Sequence, residues 1–292
     1  MITPYQKYEK LAQAIGFSGN LYFKREDLHP LGSHKGRSIP FMIDHYLKSG
    51  DRHFAISSSG NAGLAATLYV KEINAKNLDA PIKLDIFVGN NIERDKLEKL
   101  NNLIDENIKI SKIDRPLQAL TEAAKSGARS LRQSTDDIAL IGYQSLAEEI
   151  SSISNIGAVF IGTSSGTTAQ SLAQNFSDNK LPIQVHIVQT SSCHPIIDSF
   201  GPFDTSKERS VADAIVDIVA NRKDVLVSLI QRAGGNGWLA TNDDIHSAIQ
   251  LAKENTGIEI STNSALSIVG AMKAVKTKHP INGAIVCLIC GD

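Results

Sequence analysis

Apolar positions along the chain fall into two kinds of run that alternate. Short runs rich in β-branched and aromatic residues cover 21–24, 53–56, 83–88, 107–113, 158–161, 183–188 and 284–289, and read as strands. Between them, helical spacing predicts helices from the 32–37 turn to about Lys48, from 63 to about Ile73, over 93–103, 116–132 and 145–153, and from 167 to about Asn175. Four more are predicted over 211–219, 224–232, 243–255 and 264–277; Asn242 or Asp243 can cap the third, and Gly257 ends it. Strands alternating with helices predict an α/β fold. Pro40 would fall beyond the tolerated first turn of a helix begun at His34. The helix is therefore expected to start nearer Arg37, leaving Lys35 in the loop before it. No internal repeat or low-complexity tract interrupts the pattern.

Three turns between a strand and a helix carry candidate chemistry. Lys35 sits among Gly32, Ser33 and Gly36, with little bulk near its nitrogen. Lysine is the side chain that forms an imine with a carbonyl cofactor, and a helix start among small residues suits that chemistry. The 162–167 turn, Gly162-Thr163-Ser164-Ser165-Gly166-Thr167, offers N–H and O–H donors at a helix N-terminus, the layout of a phosphate cup. The 57–63 turn offers donors to a second anion, such as a carboxylate, with Asn61 as an amide able to bond a phenolic oxygen. Each turn alone reads equally well as a plain connector. A lysine, a phosphate cup and a carboxylate cup together fit pyridoxal 5'-phosphate handling an amino acid better than a nucleotide.

Composition narrows the field. At 292 residues, two domains are expected, and 42% hydrophobic with 21% charged residues is ordinary for a soluble globular protein. A net charge of −1 and few aromatics give no footprint for nucleic acid or an anionic membrane surface. No apolar run approaches the ~20 residues of a membrane span. Met1-Ile2-Thr3-Pro4-Tyr5 has neither the basic start nor the apolar core of a signal peptide, so a cytoplasmic protein is expected. Cys287 and Cys290 form a C-x-x-C at a strand, where residues three apart face opposite sides roughly 10 Å apart, too far for a disulfide or a shared metal. No metal site is expected. The chain has no G-x-x-x-x-G-K-[ST], no G-x-G-x-x-G after a strand and no G-x-S-x-G elbow.

These motifs carry a resemblance. Lys24-Arg25-Glu26-Asp27 followed by Gly32-Ser33-His34-Lys35-Gly36-Arg37 is similar to the K-x-E-D-x-x-P-x-G-S-F-K-D-R of the tryptophan-synthase-β-like (fold type II) pyridoxal-phosphate enzymes. Ser58-Ser59-Gly60-Asn61-Ala62-Gly63 is similar to their T-S-G-N-T-G, and Gly142 to Ile150 resembles the G-Y-K-T-I-A-x-E-I of threonine synthases. The resemblance spans essentially the whole chain. It implies two open twisted, mostly parallel sheets flanked by helices, with the active site between domains: 1–43 and 141–292 as the large domain, 44–140 as a small mobile one. It also implies a homodimer.

By the same resemblance, Lys35 would hold the cofactor and serve as proton-transfer base and acid, with His34 flanking the ring. Asn61 would bond the ring oxygen, while Ser58, Ser59, Gly60 and Ala62 would bind the substrate carboxylate. Residues 162–167 would cup the phosphate, and Cys290 falls where relatives place Ser or Thr against the pyridine nitrogen. A neutral partner there suits β-elimination and β-replacement. The chain departs from the family at His34 (usually Phe), Gly36 (Asp), Ala62 (a hydroxyl residue) and Ser261 (often Glu), and relatives are expected to be longer at both ends. The expected activity is a lyase of threonine-synthase type acting on an amino acid such as O-phosphohomoserine. Serine/threonine dehydration, cysteine-synthase-like β-replacement and a non-catalytic binding role are the alternatives.

Overall fold

The computed structural model describes residues 2–58, 60–76, 80–90, 92 and 94–291, without the side chains of Asp95 and Lys96. In chain order the elements are β1 (Tyr5–Lys7), α1 (Glu9–Ala14), β2 (Leu21–Arg25), α2 (Lys35–Lys48), β3 (His53–Ser57), α3 (Asn61–Lys76), β4 (Lys83–Gly89) and α4 (Arg94–Asn101). Then come β5 (Ile108–Ile113), α5 (Pro116–Lys125), β6 (Arg129–Ser130), α6 (Ile138–Ile141), α7 (Gln144–Ser151), β7 (Ile156–Gly162), α8 (Thr167–Asp178) and β8 (Gln184–Thr190). The last five are α9 (Lys223–Arg232), β9 (Gly237–Ala240), α10 (Asn242–Thr256), α11 (Thr262–Lys276) and β10 (Ala284–Ile289). Two compact units result, Met1–Leu28 with Tyr143–Asp292, and His29–Gly142.

The first unit holds a six-stranded sheet in the order β1-β2-β10-β7-β8-β9, parallel except for β1. Its central strands read as unbroken apolar runs because both faces are covered. Ala158 and Phe160 of β7, with Ile285 and Cys287 of β10, pack with Ile245 and Ala248 of α10 and Leu266 and Val269 of α11. Val159 and Ile161, with Val286 and Leu288, pack with Leu146 of α7, Leu172 of α8 and Leu226 of α9. All six residues of β10 are buried, and each large apolar side chain among them contributes about 1.5–3 kcal/mol. Cys287 and Cys290 lie in different clusters, on opposite faces, as the strand geometry requires.

The second unit has four parallel strands in the order β5-β4-β3-β6. Phe54 and Ile56 of β3 and Ile86 of β4 bury against Ile39, Met42 and Ile43 of α2 and Ala65, Ala66 and Val70 of α3. Ala55 and Phe87 point to the other face, against Leu120 and Ala123 of α5.

Three expectations are corrected. The helix from Pro116 stops at Lys125, not near 132, because Gly127 turns the chain at φ +101° and releases β6. Residues 211–219 form no helix, since their N–H groups go to side chains: Val211 to Asn242 Oδ1, Ala212 to Ser210 Oγ and Ala214 to Asn263 Oδ1. Thr241, not Asn242 or Asp243, caps α10. The pattern announces none of β1, α1, β6, α6 and β9. Among the described residues no helix is long and apolar enough to cross a membrane, and no group of His, Cys, Asp and Glu could hold a metal ion.

Candidate active site

The turn before α2 is built from His29 onward. The Gly32 N–H donates to the His29 carbonyl at 2.8 Å, and Gly32 adopts φ +82°, which glycine alone accepts without strain. Ser33 Oγ then accepts the Lys35 N–H at 3.3 Å. The Gly36 N–H donates to Ser33 O (2.9 Å) and that of Arg37 to His34 O (3.1 Å), so the helix opens with tight i→i−3 bonds. Lys35 is thus the first residue of α2 and not part of the loop before it. Pro40 stays inside the helix. Its missing N–H spares one bond, to the Gly36 carbonyl, and burial of Ile39, Met42 and Ile43 holds the helix in place despite it. Lys35 and His34 are half-buried.

The β3–α3 turn lies in the same unit. Ser58 Oγ accepts the Gly60 N–H at 3.3 Å, and the Leu64 N–H donates to Gly60 O. Asn61 is the first residue of α3, with Ala62 behind it. Gly63 has no room for a side chain, because a Cβ there would lie 2.5 Å from Ser58 O. Ser59 lies outside the described residues. The lysine turn and this turn meet at Leu64, whose Cδ2 would be 3.2 Å from a Cβ on Gly32. Lys35, His34, Ser58, Gly60, Asn61 and Ala62 therefore lie in one unit, on or just before two packed helices, α2 and α3.

Residues 162–167 and Cys290 belong to the other unit. Gly166 caps α8 at φ +88°, and no side chain caps the helix. An uncapped start of a 12-residue helix, with its N–H groups and positive dipole end, suits a phosphate. Ser165 Oγ and Thr167 Oγ1 lie 3.0 Å apart beside it. The fit is less complete at the front of the loop. The Thr163 N–H is taken by Val188 O (2.9 Å), and its hydroxyl donates to Ile161 O (3.2 Å). Ser164 Oγ donates to Asp217 Oδ2 at 2.9 Å, a partner 53 residues away that no local pattern reveals. Burial pushes the nearby Cys193 thiol above its ordinary range, and the charge of Asp217 adds to the shift.

Cys290 follows β10 and is buried; its N–H donates to Ser264 Oγ at 3.1 Å. Ser261 caps α11 and donates to Gly291 O at 2.8 Å. The two serines tie the end of the last strand to the start of α11. Burial raises the Cys287 thiol far above its ordinary range, only partly opposed by its hydrogen bond to Ser267 O. That cysteine is structural.

The chain is similar to threonine synthase from Mycobacterium leprae, with 24% identity over 305 residues, covering 99% of this chain and 81% of that protein. Among solved structures, a pyridoxal 5'-phosphate-dependent aspartate racemase matches with a TM-score of 0.82 and 19% identity, over 100% of this chain and 90% of the other. The processed form of threonine deaminase isoform 2 from Solanum lycopersicum matches at 0.81 and 21%, over 99% and 83%. The family model described as pyridoxal-phosphate dependent enzyme matches residues 2–291, and the chain belongs to that family.

Proposed function

We propose that the protein is a lyase of threonine-synthase type, eliminating or replacing a substituent on a β- or γ-substituted amino acid such as O-phosphohomoserine. The observation that carries the reading is Lys35 at the head of α2, a helix packed on α3, which opens with Asn61 and Ala62. Similarity to a threonine synthase along nearly the whole chain supports it.

Pyridoxal phosphate, when bound, supplies an electron sink for bonds broken at the substrate's Cα and beyond. Lys35 would hold it covalently through Nζ. The same Nζ would serve as the base and acid that moves the substrate Cα proton. His34 would flank the ring, and the Asn61 amide would donate to the ring oxygen. The hydroxyls and N–H groups of Ser58, Ser59, Gly60 and Ala62 receive the substrate carboxylate. Within 162–167, the start of α8 (Ser165, Gly166, Thr167) takes the phosphate, with the backbone of Gly162, Thr163 and Ser164 shaping the cup. Cys290 would face the pyridine nitrogen. A homodimer is part of the same reading, checked by sedimentation.

The purified protein should carry the absorbance band of lysine-bound cofactor, and Lys35→Ala should abolish it. Parallel assays of O-phosphohomoserine, serine, threonine and O-acetylserine then identify the substrate. Turnover of phosphohomoserine is expected; turnover of O-acetylserine alone would reject the threonine-synthase reading.

A further inference from the structure

We propose that His29 is a positioning residue for Lys35, its ring bracing from outside the first turn of α2, where Gly36 has no side chain. The inference rests on Lys35 being the cofactor lysine. A Cβ built on Gly36 would lie 2.3 Å from His29 Nδ1, 2.4 Å from its Cε1 and 2.8 Å from Leu31 Cβ. The imidazole therefore lies directly on the backbone of the residue after Lys35. No side chain at position 36 can coexist with the ring where it is.

Bonds within its own turn hold the ring there. The Leu31 N–H donates to His29 Nδ1 at 3.1 Å, and the His29 carbonyl accepts the Gly32 N–H at 2.8 Å. With Nδ1 accepting, the neutral ring carries its proton on Nε2. The His29–Gly32 turn thus closes on itself and presses its first side chain onto the first turn of α2.

That turn needs support. Glycine is about 1 kcal/mol worse than alanine in a helix. Here it is the second residue of α2, in a stretch held by i→i−3 bonds, and Pro40 removes the bond that would end on its carbonyl. The resemblance noted above places Asp at position 36 in relatives. This chain has no side chain there and covers the same backbone with a ring from seven residues upstream. Without the ring, residues 34–36 are free to fray and Lys35 Nζ loses its fixed origin.

The experiment compares His29→Ala, His29→Asn, Gly36→Ala and the double variant His29→Ala/Gly36→Ala. Three readouts serve: cofactor affinity of the apoenzyme from the lysine-bound band, borohydride trapping on Lys35 by mass spectrometry, and the melting temperature. His29→Ala should weaken cofactor binding about tenfold while melting within about 2 °C of the parent. Gly36→Ala alone should cost at least as much, because its methyl meets the ring. The double variant should recover part of the loss, since its methyl enters the vacated space and meets only Leu31 Cβ at 2.8 Å. His29→Asn, whose side-chain carbonyl can still accept the Leu31 N–H, should fall between the parent and His29→Ala. Strictly additive losses in the double variant, or His29→Ala binding cofactor like the parent, would overturn the proposal. Lys35→Ala is the control: if the band survives it, the reading of Lys35 itself fails; if the band is lost while the His29 and Gly36 variants behave as parent, only the role of His29 fails.

Discussion

Ser164 Oγ donates to Asp217 Oδ2 at 2.9 Å and accepts the N–H groups of Val216 and Asp217 at 3.1 and 3.2 Å. One donor and two lone pairs are thereby used, so the hydroxyl serves the 213–217 segment and leaves only its N–H for an anion. Ser164→Ala is expected to cost about 1–2 kcal/mol and to speed proteolysis within 211–221, while cofactor affinity stays within about threefold of the parent. Thr167→Val, which removes a hydroxyl at the start of α8, should weaken cofactor binding about tenfold. Titration of both apoenzymes with cofactor checks this, and equal losses would return Ser164 to the phosphate site.

Lys24 is fully buried, with Nζ donating to the Thr3 carbonyl at 2.6 Å and paired with Glu149, itself nearly buried. Glu26, also buried, accepts from the Thr3 hydroxyl. The K-x-E of the sequence motif is thus an internal ion network of the first unit. Removing one member strands a buried charge, so Lys24→Met should destabilise by about 3–5 kcal/mol in urea unfolding. Lys24→Met/Glu149→Gln should recover part of that loss. No recovery would mean that Lys24 acts through packing alone.

What could be read in the sequence was whatever burial on both faces writes into composition. The apolar runs of β3, β4, β7 and β10 belong to parallel strands covered by helices, and their limits came out within a residue or two. Elements fixed by distant partners were not legible. The 211–219 stretch has helical spacing, yet Asn242, Asn263 and Ser164 take its N–H groups. The edge strand β1 is three exposed residues with no apolar face to announce it. Among the candidate residues, Lys35, Asn61 and Gly166 stand out in the sequence because each lies in a turn rich in small residues. Asp217 and the ring of His29 do not, since each acquires its meaning only where the chain returns.

Thr241 shows a signal that was present but read one residue late. Its side chain accepts the Asp244 N–H at 3.2 Å, and Asp244 Oδ2 accepts the Thr241 N–H at 2.9 Å, a reciprocal capping box. Burial pushes the Asp244 carboxyl up, but Lys273 at 2.7 Å and the Thr241 donors together hold it below its ordinary value. Thr241→Ala should cost about 1 kcal/mol. Lys273→Met should shift the Asp244 titration upward in a carbon-detected NMR series; an unchanged titration would show that the cap alone sets it.

His186 gives the fold a calculable response to acid. It is fully buried, stacked on Phe160 with ring centres 4.4 Å apart. Trp238 Nε1 donates to its Nδ1 at 3.2 Å, and its Nε2 lies 3.1 Å from Gln184 Oε1. A proton added at Nδ1 would face the indole N–H. Burial, with His279 adding like charge, pushes the ring down from 6.5 to about 3. The unfolded chain therefore binds a proton near pH 6.5 that the folded chain refuses. The contribution of the neutral ring is complete above that pH and is lost progressively as pH falls toward 3, by up to about 1.4 kcal/mol per unit. Urea unfolding at pH 5 should show about 2 kcal/mol less stability than at pH 7. In His186→Gln, whose carbonyl can still accept from Trp238, the curve should flatten over that range even if the variant is less stable at pH 7. The same slope in both proteins would assign the acid response to other groups.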